Sequence, residues 1–328
     1  MKTKVTFHED ILKIGDVEGF VDALSQEIQS NVHGKLRRKG GIVGVSGGID
    51  SSVTMALAVR ALGKDQVLAL LMPEKDSSPD SLEYAKMLAN QFGVDYLVED
   101  ITPILDGFRC YPRRDEAVSR IFPEYDPHRH TFKIGMNRSS IETGLPSLFY
   151  LTLVDESGRE QQKRLPPREY MQIIAASNFK QRTRMSMLYY HAERLHHAVI
   201  GTANKHEIHQ GFFVKHGDSG VDIMPIGSLY KTQVYQLADF LDIPEEIVRR
   251  TPTSDTYSAE QTQEEFFFQL PFQELDLFWY AYEHNYPVHV VAPVMNRSEE
   301  AVGNIFQSFR RKQQTTDYLR MAPIMPEK

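Results

Sequence analysis

Apolar residues at Phe20, Leu24, Ile28 and Val32 recur at helical spacing and predict an amphipathic lead-in helix. Gly41-Ile-Val-Gly-Val45 is a short, uninterrupted apolar run, the pattern of a strand covered on both faces. The polar stretch Ser46-Gly-Gly-Ile-Asp-Ser-Ser52 separates it from a helix predicted over Val53–Leu62 and closed by Gly63. Val67–Met72 reads as a second buried strand stopped by Pro73. Asp80–Phe92 reads as a helix with Leu82, Ala85, Leu88 or Ala89, and Phe92 inward, and Tyr96–Val98 as a third strand. The α/β pattern resumes at Tyr170, with a helix over Met185–Leu195, a strand at Ala198–Ile200 and a helix over Lys231–Leu241. Strands alternating with helices predict an α/β fold: a parallel sheet with helices on both faces.

Residues 107–168 break this rhythm. Clusters of Pro, Arg, Asp and His are followed by a strand-like Phe149–Val154 and a turn at Asp155-Glu-Ser-Gly158, which suggests a hairpin arm. A long irregular stretch within a compact domain is usually functional. The expectation is one domain over residues 1–328, carrying an irregular insertion or lid at 107–168.

Composition narrows the function. The 328 residues carry a net charge of −7, which disfavours a nucleic-acid partner. One cysteine, Cys110, allows no disulfide within the chain and points to a reducing, cytoplasmic setting. The polar N-terminus lacks the pattern of a signal peptide, and no run is apolar enough to span a bilayer, so no membrane partner is expected.

The loop after the first strand carries the strongest chemical signal. Gly47 and Gly48 let the backbone approach an anion, and the following helix offers free N–H groups. Ser46, Ser51 and Ser52 add hydroxyls. Asp50 would repel phosphate unless Mg²⁺ bridges the two. A capped Gly-Gly turn is the bland alternative. The sequence holds no Walker-type phosphate loop. His206-Glu-Ile-His209 has the wrong spacing for a zinc site, and none is expected.

In its strand–loop–helix setting, Ser46-Gly-Gly-Ile-Asp-Ser51 resembles the loop of N-type ATP pyrophosphatases. Successive blocks narrow the likeness: Asn178-Phe-Lys-Gln-Arg-Thr-Arg-Met185, Gly201-Thr-Ala-Asn-Lys-His-Glu207 and Gly211-Phe-Phe-Val-Lys-His-Gly-Asp218. Val221-Asp-Ile-Met-Pro-Ile226, Leu229-Tyr-Lys-Thr-Gln233 and Pro252-Thr-Ser-Asp255 follow in order. Together they resemble the ammonia-dependent NAD synthetase family.

The resemblance implies a five-stranded parallel sheet of the Rossmann-like, adenine nucleotide alpha hydrolase type. It implies ATP-dependent amidation of deamido-NAD by ammonia through an acyl-adenylate, a carbon–nitrogen ligase reaction. ATP would be held by Gly44, Val45, Ser46, Gly47, Gly48, Ile49, Asp50 and Ser51, with Thr202, Lys231 and Thr253. Mg²⁺ would sit on Asp50 and Glu207. Arg182, Lys215 and Asp222 would bind the dinucleotide, Asp218 would position ammonium and Lys231 would offset charge on the transferring group. Arg184 reads as a solvated helix face. A homodimer is implied as well. With no glutaminase-like segment before the loop, the ammonia is free or comes from a separate subunit.

Three features depart from the family pattern. The stretch between Asp100 and Asn178 is roughly 30 residues longer than usual. Gln263, Phe266 and Phe268 stand where an acid, Glu and Gly are expected, and the C-terminal basic pair is loosely matched by Tyr318-Leu-Arg320 and Pro323. The alternatives are a paralogue that adenylates and amidates, or otherwise ligates, another carboxylate, and a non-catalytic nucleotide sensor.

Overall fold

Hydrophobic alternation organises the sheet. The computed structural model describes residues 6–136, 140–143, 148–253, 257–259 and 261–326. Ser254 and Asp255 of the Pro252-Thr-Ser-Asp255 block lie outside the described residues. After helix α1 (Val17–Gln29) the chain enters β1 (Gly41–Gly44), α2 (Ile49–Leu62), β2 (Val67–Leu71), α3 (Pro79–Phe92) and β3 (Asp95–Val98). Helices α4 (Thr102–Gly107) and α5 (Cys110–Ile121) lead into β4 (Thr131–Met136), a short α6 (Ser140–Thr143), β5 (Phe149–Val154) and β6 (Glu160–Arg164). Helix α7 (Pro167–Leu195) returns the chain to β7 (Ala198–Ile200).

The parallel sheet runs β3-β2-β1-β7, with Gly41 beside both Val67 and Ala198. Ile42, Leu68, Leu70 and Val199 face α4, α5 and α7, whereas Val43, Ala69, Leu71 and Ile200 face α1, α2 and α3. This two-residue alternation covers both faces, as the α/β reading expected. The described sheet has four strands rather than five. Beyond β7 a parallel bridge between Ile200 and Ile223 stands where another strand would lie, because the chain after Val221 turns away instead of extending.

Residues 107–168 are more regular than their composition suggests. Strands β4, β5 and β6 form a separate antiparallel sheet, and β5 and β6 make the expected hairpin, closed by Asp155, whose side chain accepts from the Ser157 and Arg159 N–H groups. Phe132, Ile134, Leu151 and Leu153 from this sheet pack with Val118 of α5, with Phe122 just past its end, and with Tyr257 and Phe266. The arm therefore has an apolar core of its own, which polar clusters at its ends mask in the sequence.

The C-terminal part adds α8 (Lys205–Gln210), α9 (Lys231–Phe240), α10 (Glu245–Val248), α11 (Phe272–Glu283), α12 (Val288–Val294) and α13 (Glu299–Arg320). Trp279, Phe278, Val302, Ile305 and Phe309 form the core that seats α13 on α11 and α12. Among the described residues no helix is long and apolar enough to cross a membrane.

Candidate functional site

The site begins where β1 ends. Gly47 has φ +76°, and a Cβ there would stand 2.5 Å from the Ser81 carbonyl oxygen, so a side chain is excluded on both counts. The loop closes on itself: Ser51 Oγ donates to the Gly48 carbonyl at 2.9 Å and accepts from the Ser46 N–H at 3.2 Å. Helix α2 starts at Ile49, four residues earlier than the apolar pattern predicts. Asp50 and Ser51 thus lie in its first turn, which begins at the extended Gly48 N-cap rather than at the first apolar residues.

Asp50 meets two partners from distant segments. Lys231 Nζ forms an ion pair with Asp50 Oδ2 at 2.5 Å, and Asn204 Nδ2 donates to Oδ1 at 3.4 Å. Asn204 also caps α8 reciprocally with Glu207: the Glu207 N–H donates to Asn204 Oδ1, and the Asn204 N–H donates to Glu207 Oε2. Burial, reinforced by the Asp50 carboxylate, pushes the Glu207 carboxyl up to about 8. For the fully buried Lys231, burial acts to lower the pKa, but the Asp50 and Glu207 carboxylates outweigh it and hold the ammonium above its ordinary value. The Asp50 carboxylate disfavours charge on the cap-held Glu207, and such a pair of acids suits a divalent cation that also needs phosphate oxygens.

Lys231 is positioned from behind. Asp276 of α11, fully buried, accepts from the Thr232 N–H at 2.7 Å and the Lys231 N–H at 3.3 Å at the start of α9. Its negative charge suits a helix N-terminus, and His206 Nε2 pairs with it at 2.5 Å. Neither Asp276 nor Asn204 stands out in sequence, because their importance comes from where α8 and α11 carry them.

A cavity of about 150 Å³ is lined by Ser46, Gly48, Asp50, Ser51, Thr202, Glu207, Lys231 and Thr253, together with Arg250, which the sequence did not single out. It adjoins a cavity of about 1260 Å³ that begins at Gly44 and Val45, at the carboxyl ends of the strands. Ser46, Thr202, Glu207 and Gln263 line both. The larger space exceeds the roughly 300–1000 Å³ of a pocket for one small molecule. Asp218 is open to it, accepting from the Val214 N–H at 2.7 Å. Aromatic residues supply much of its wall, among them the stacked Phe149 and Tyr170, whose ring centroids are 4.2 Å apart.

The three residues expected to bind a dinucleotide line neither cavity. Arg182 is exposed, since the inward face of α7 carries Ile174, Asn178, Gln181, Arg184 and Leu188. Lys215 Nζ donates to the carbonyls of Tyr318 and Met321 at the end of α13. Asp222 accepts from the Val199 N–H at 2.8 Å and the Tyr189 hydroxyl at 3.1 Å, anchoring the edge strand. Arg184, expected on a solvated face, is instead half-buried in the cavity wall, with Nε donating to the Met72 carbonyl at 3.3 Å. Tracing α7 back to Pro167 would have revealed that face, since its inward positions recur every three or four residues.

A glycine loop, two acids and a buried lysine gathered at the carboxyl end of the sheet are the arrangement of an α/β nucleotide-binding protein. The sequence model of the NAD synthase family matches residues 20–120 and 153–318. A protein named NH(3)-dependent NAD(+) synthetase from Rhizobium meliloti (strain 1021) is 43% identical over 325 residues, 98% of this chain and 95% of that one. Among solved structures, an NH3-dependent NAD synthetase from Campylobacter jejuni subsp. jejuni aligns with TM-score 0.63 at 23% identity, covering 96% of this chain and 100% of that one. An NMN synthetase from Francisella tularensis gives TM-score 0.63 at 20% identity, covering 95% and 99%. The chain belongs to the NAD synthase family.

Proposed function

We infer that this protein is an ammonia-dependent NAD synthetase, a carbon–nitrogen ligase that converts deamido-NAD, ATP and ammonia to NAD, AMP and pyrophosphate. The observation that carries the reading is the junction of the two cavities at Ser46, Thr202 and Glu207. A phosphate cradle there opens onto a space with room for a second nucleotide. The family membership and the relatives named NH(3)-dependent NAD(+) synthetase support the same acceptor. The NMN synthetase shares the fold, but at 20% identity it does not redirect the choice of substrate.

A carboxylate cannot expel oxide, so it must first be activated. In the proposed reaction its oxygen attacks the α-phosphate of ATP and pyrophosphate departs. The loop of residues 44–51 would hold ATP, chiefly its phosphates, through N–H groups at the start of α2, with Thr202 and Thr253 as further contacts. Lys231 and Arg250 offset their charge. Asp50 and Glu207 would hold Mg²⁺, which when bound neutralises charge on the phosphates. Asp218 and Glu207 both line the larger cavity, which supports a role for Asp218 in positioning ammonium beside the reacting carbonyl. Ammonia then attacks the acyl carbon, and AMP leaves with the original carboxylate oxygen. Phe266 and Phe267 in the cavity wall help exclude water, which would hydrolyse the adenylate.

Residues 107–168 act in this reading as an insertion that forms part of the site wall. Residues 121–152 fall outside the family match, and Met136 and Phe149 line the larger cavity. A homodimer belongs to the reading too. Its support is the outer face of α7, where Arg182, Ser186 and Tyr190 recur four residues apart and are exposed. A cytoplasmic setting fits the buried free thiol of Cys110.

The test is to supply ATP, Mg²⁺, deamido-NAD and ammonium and to quantify NAD, AMP and pyrophosphate. The expected result is one AMP and one pyrophosphate per NAD. Pyrophosphate release with another carboxylate but not with deamido-NAD would assign the chain to a paralogous reaction.

A further inference from the structure

One face of α13 roofs the larger cavity, through Asn304, Ser308, Lys312, Thr315 and Leu319 at helical spacing. Lys312 stands in the middle of that face. Its Nζ donates to the Phe267 carbonyl at 2.8 Å and lies 4.7 Å from the centroid of the Phe267 ring. Among the described residues it makes no ion pair. Lysines elsewhere that have little exposure are treated differently: Lys180 meets Glu74 and Asp76, Lys205 meets Glu283, and Lys231 meets Asp50. Lys312 keeps part of its surface exposed and lines the cavity, and a cation in such a recess without a counter-charge is unfavourable. Burial alone lowers the Lys312 pKa to about 7.

The missing counter-charge identifies the ligand chemistry. The cavity around Lys312 is aromatic, with Phe212, Phe266 and Phe267 in its wall, and Lys312 does not line the small phosphate cavity. That smaller cavity has its own cations in Lys231 and Arg250. The acceptor carboxylate must react beside the small cavity, so the anion at Lys312 is a different part of the acceptor.

We propose that Lys312 is a specificity-determining residue that binds the bridging phosphates of the dinucleotide acceptor. The proposal rests on the acceptor reading above. Because its ligand-free partner is the Phe267 carbonyl, the same side chain ties the acceptor to the aromatic segment Glu264–Phe268 that borders the reacting end.

The test compares wild type, Lys312→Met and Lys312→Arg in steady-state kinetics, varying deamido-NAD and ATP separately, with thermal melts to establish folding. Loss of one charge-assisted contact predicts a KM for deamido-NAD about tenfold or more higher in Lys312→Met. The KM for ATP and kcat should stay within about twofold, and Lys312→Arg should recover most of the loss. Wild-type turnover with an unchanged acceptor KM in folded Lys312→Met, or equal rises in both KM values, would overturn the proposal alone. Wild type that forms no NAD would overturn the acceptor reading, and this proposal with it.

Discussion

The two ends of the site are built by different means. At the phosphate end, a loop of six residues closes on its own hydroxyls and backbone, and Gly47 is required by its geometry. At the acceptor end, the wall is assembled from the arm, α7, the Glu264–Phe268 segment and α13, elements separated by up to about half the chain. Local backbone chemistry leaves a contiguous mark in a sequence, whereas a wall of dispersed side chains leaves none. In the proposed reading the first end handles the phosphates and the second chooses the acceptor.

Substitutions can break that division, beginning at the phosphate end. Asp50→Asn keeps the side-chain shape but removes the charge facing Lys231, and pyrophosphate release should fall about a thousandfold. A fall of less than tenfold would remove Asp50 from the machinery. Next is stability between the two ends. Lys180 and Glu74 are fully buried and paired at 2.8 Å, with Asp76 also bonded to Lys180 and Arg114. This cluster ties the segment after β2 to α5 and α7. Lys180→Ala leaves the buried Glu74 without its counter-charge, while Asp76 keeps Arg114, and should cost about 3–5 kcal/mol in denaturant unfolding. A loss below about 1 kcal/mol would mean that the pair is not closed off from water.

At the acceptor end, Arg184→Ala should raise the deamido-NAD or ATP KM about tenfold, and Arg182→Ala by less than twofold. A comparable effect of Arg182→Ala would instead mean that a second subunit uses the outer face of α7. The smallest effect concerns pH. Glu207 holds its proton more tightly in the folded chain than in the unfolded one. Its contribution to stability is therefore present below about 4.5 and is lost as pH rises through about 8. Mg²⁺ favours the ionised carboxylate, so its thermal stabilisation should be larger at pH 8.5 than at pH 6.5. Glu207→Gln should abolish the difference, and equal stabilisation of wild type at both pH values would contradict the assignment.

The sequence exposes the first end almost completely. The buried strands alternate as expected, and residues at Ser46, Asp50, Thr202, Glu207, Lys231 and Thr253 come together in one cavity. Arg182, Lys215 and Asp222 show where pattern stops being informative. All are polar residues within family-like blocks, yet helix phase turns Arg182 outward, and backbone groups engage Lys215 and Asp222. The long arm and the Phe266–Phe268 cluster read in sequence as unrelated departures. They are joined in space: Phe132 of the arm packs on Tyr257, which packs on Phe266, and the Phe132 carbonyl accepts from the Ala259 N–H. That pairing depends on tertiary contact across more than a hundred residues, which no local periodicity encodes.

Oxygen transfer tests the central claim most directly. With deamido-NAD carrying ¹⁸O in both oxygens of its nicotinate carboxylate, activation by adenylation predicts one ¹⁸O in the AMP phosphate for each NAD formed. AMP that emerges unlabelled while NAD accumulates would contradict an acyl-adenylate and, with it, the role assigned to the junction between the two cavities.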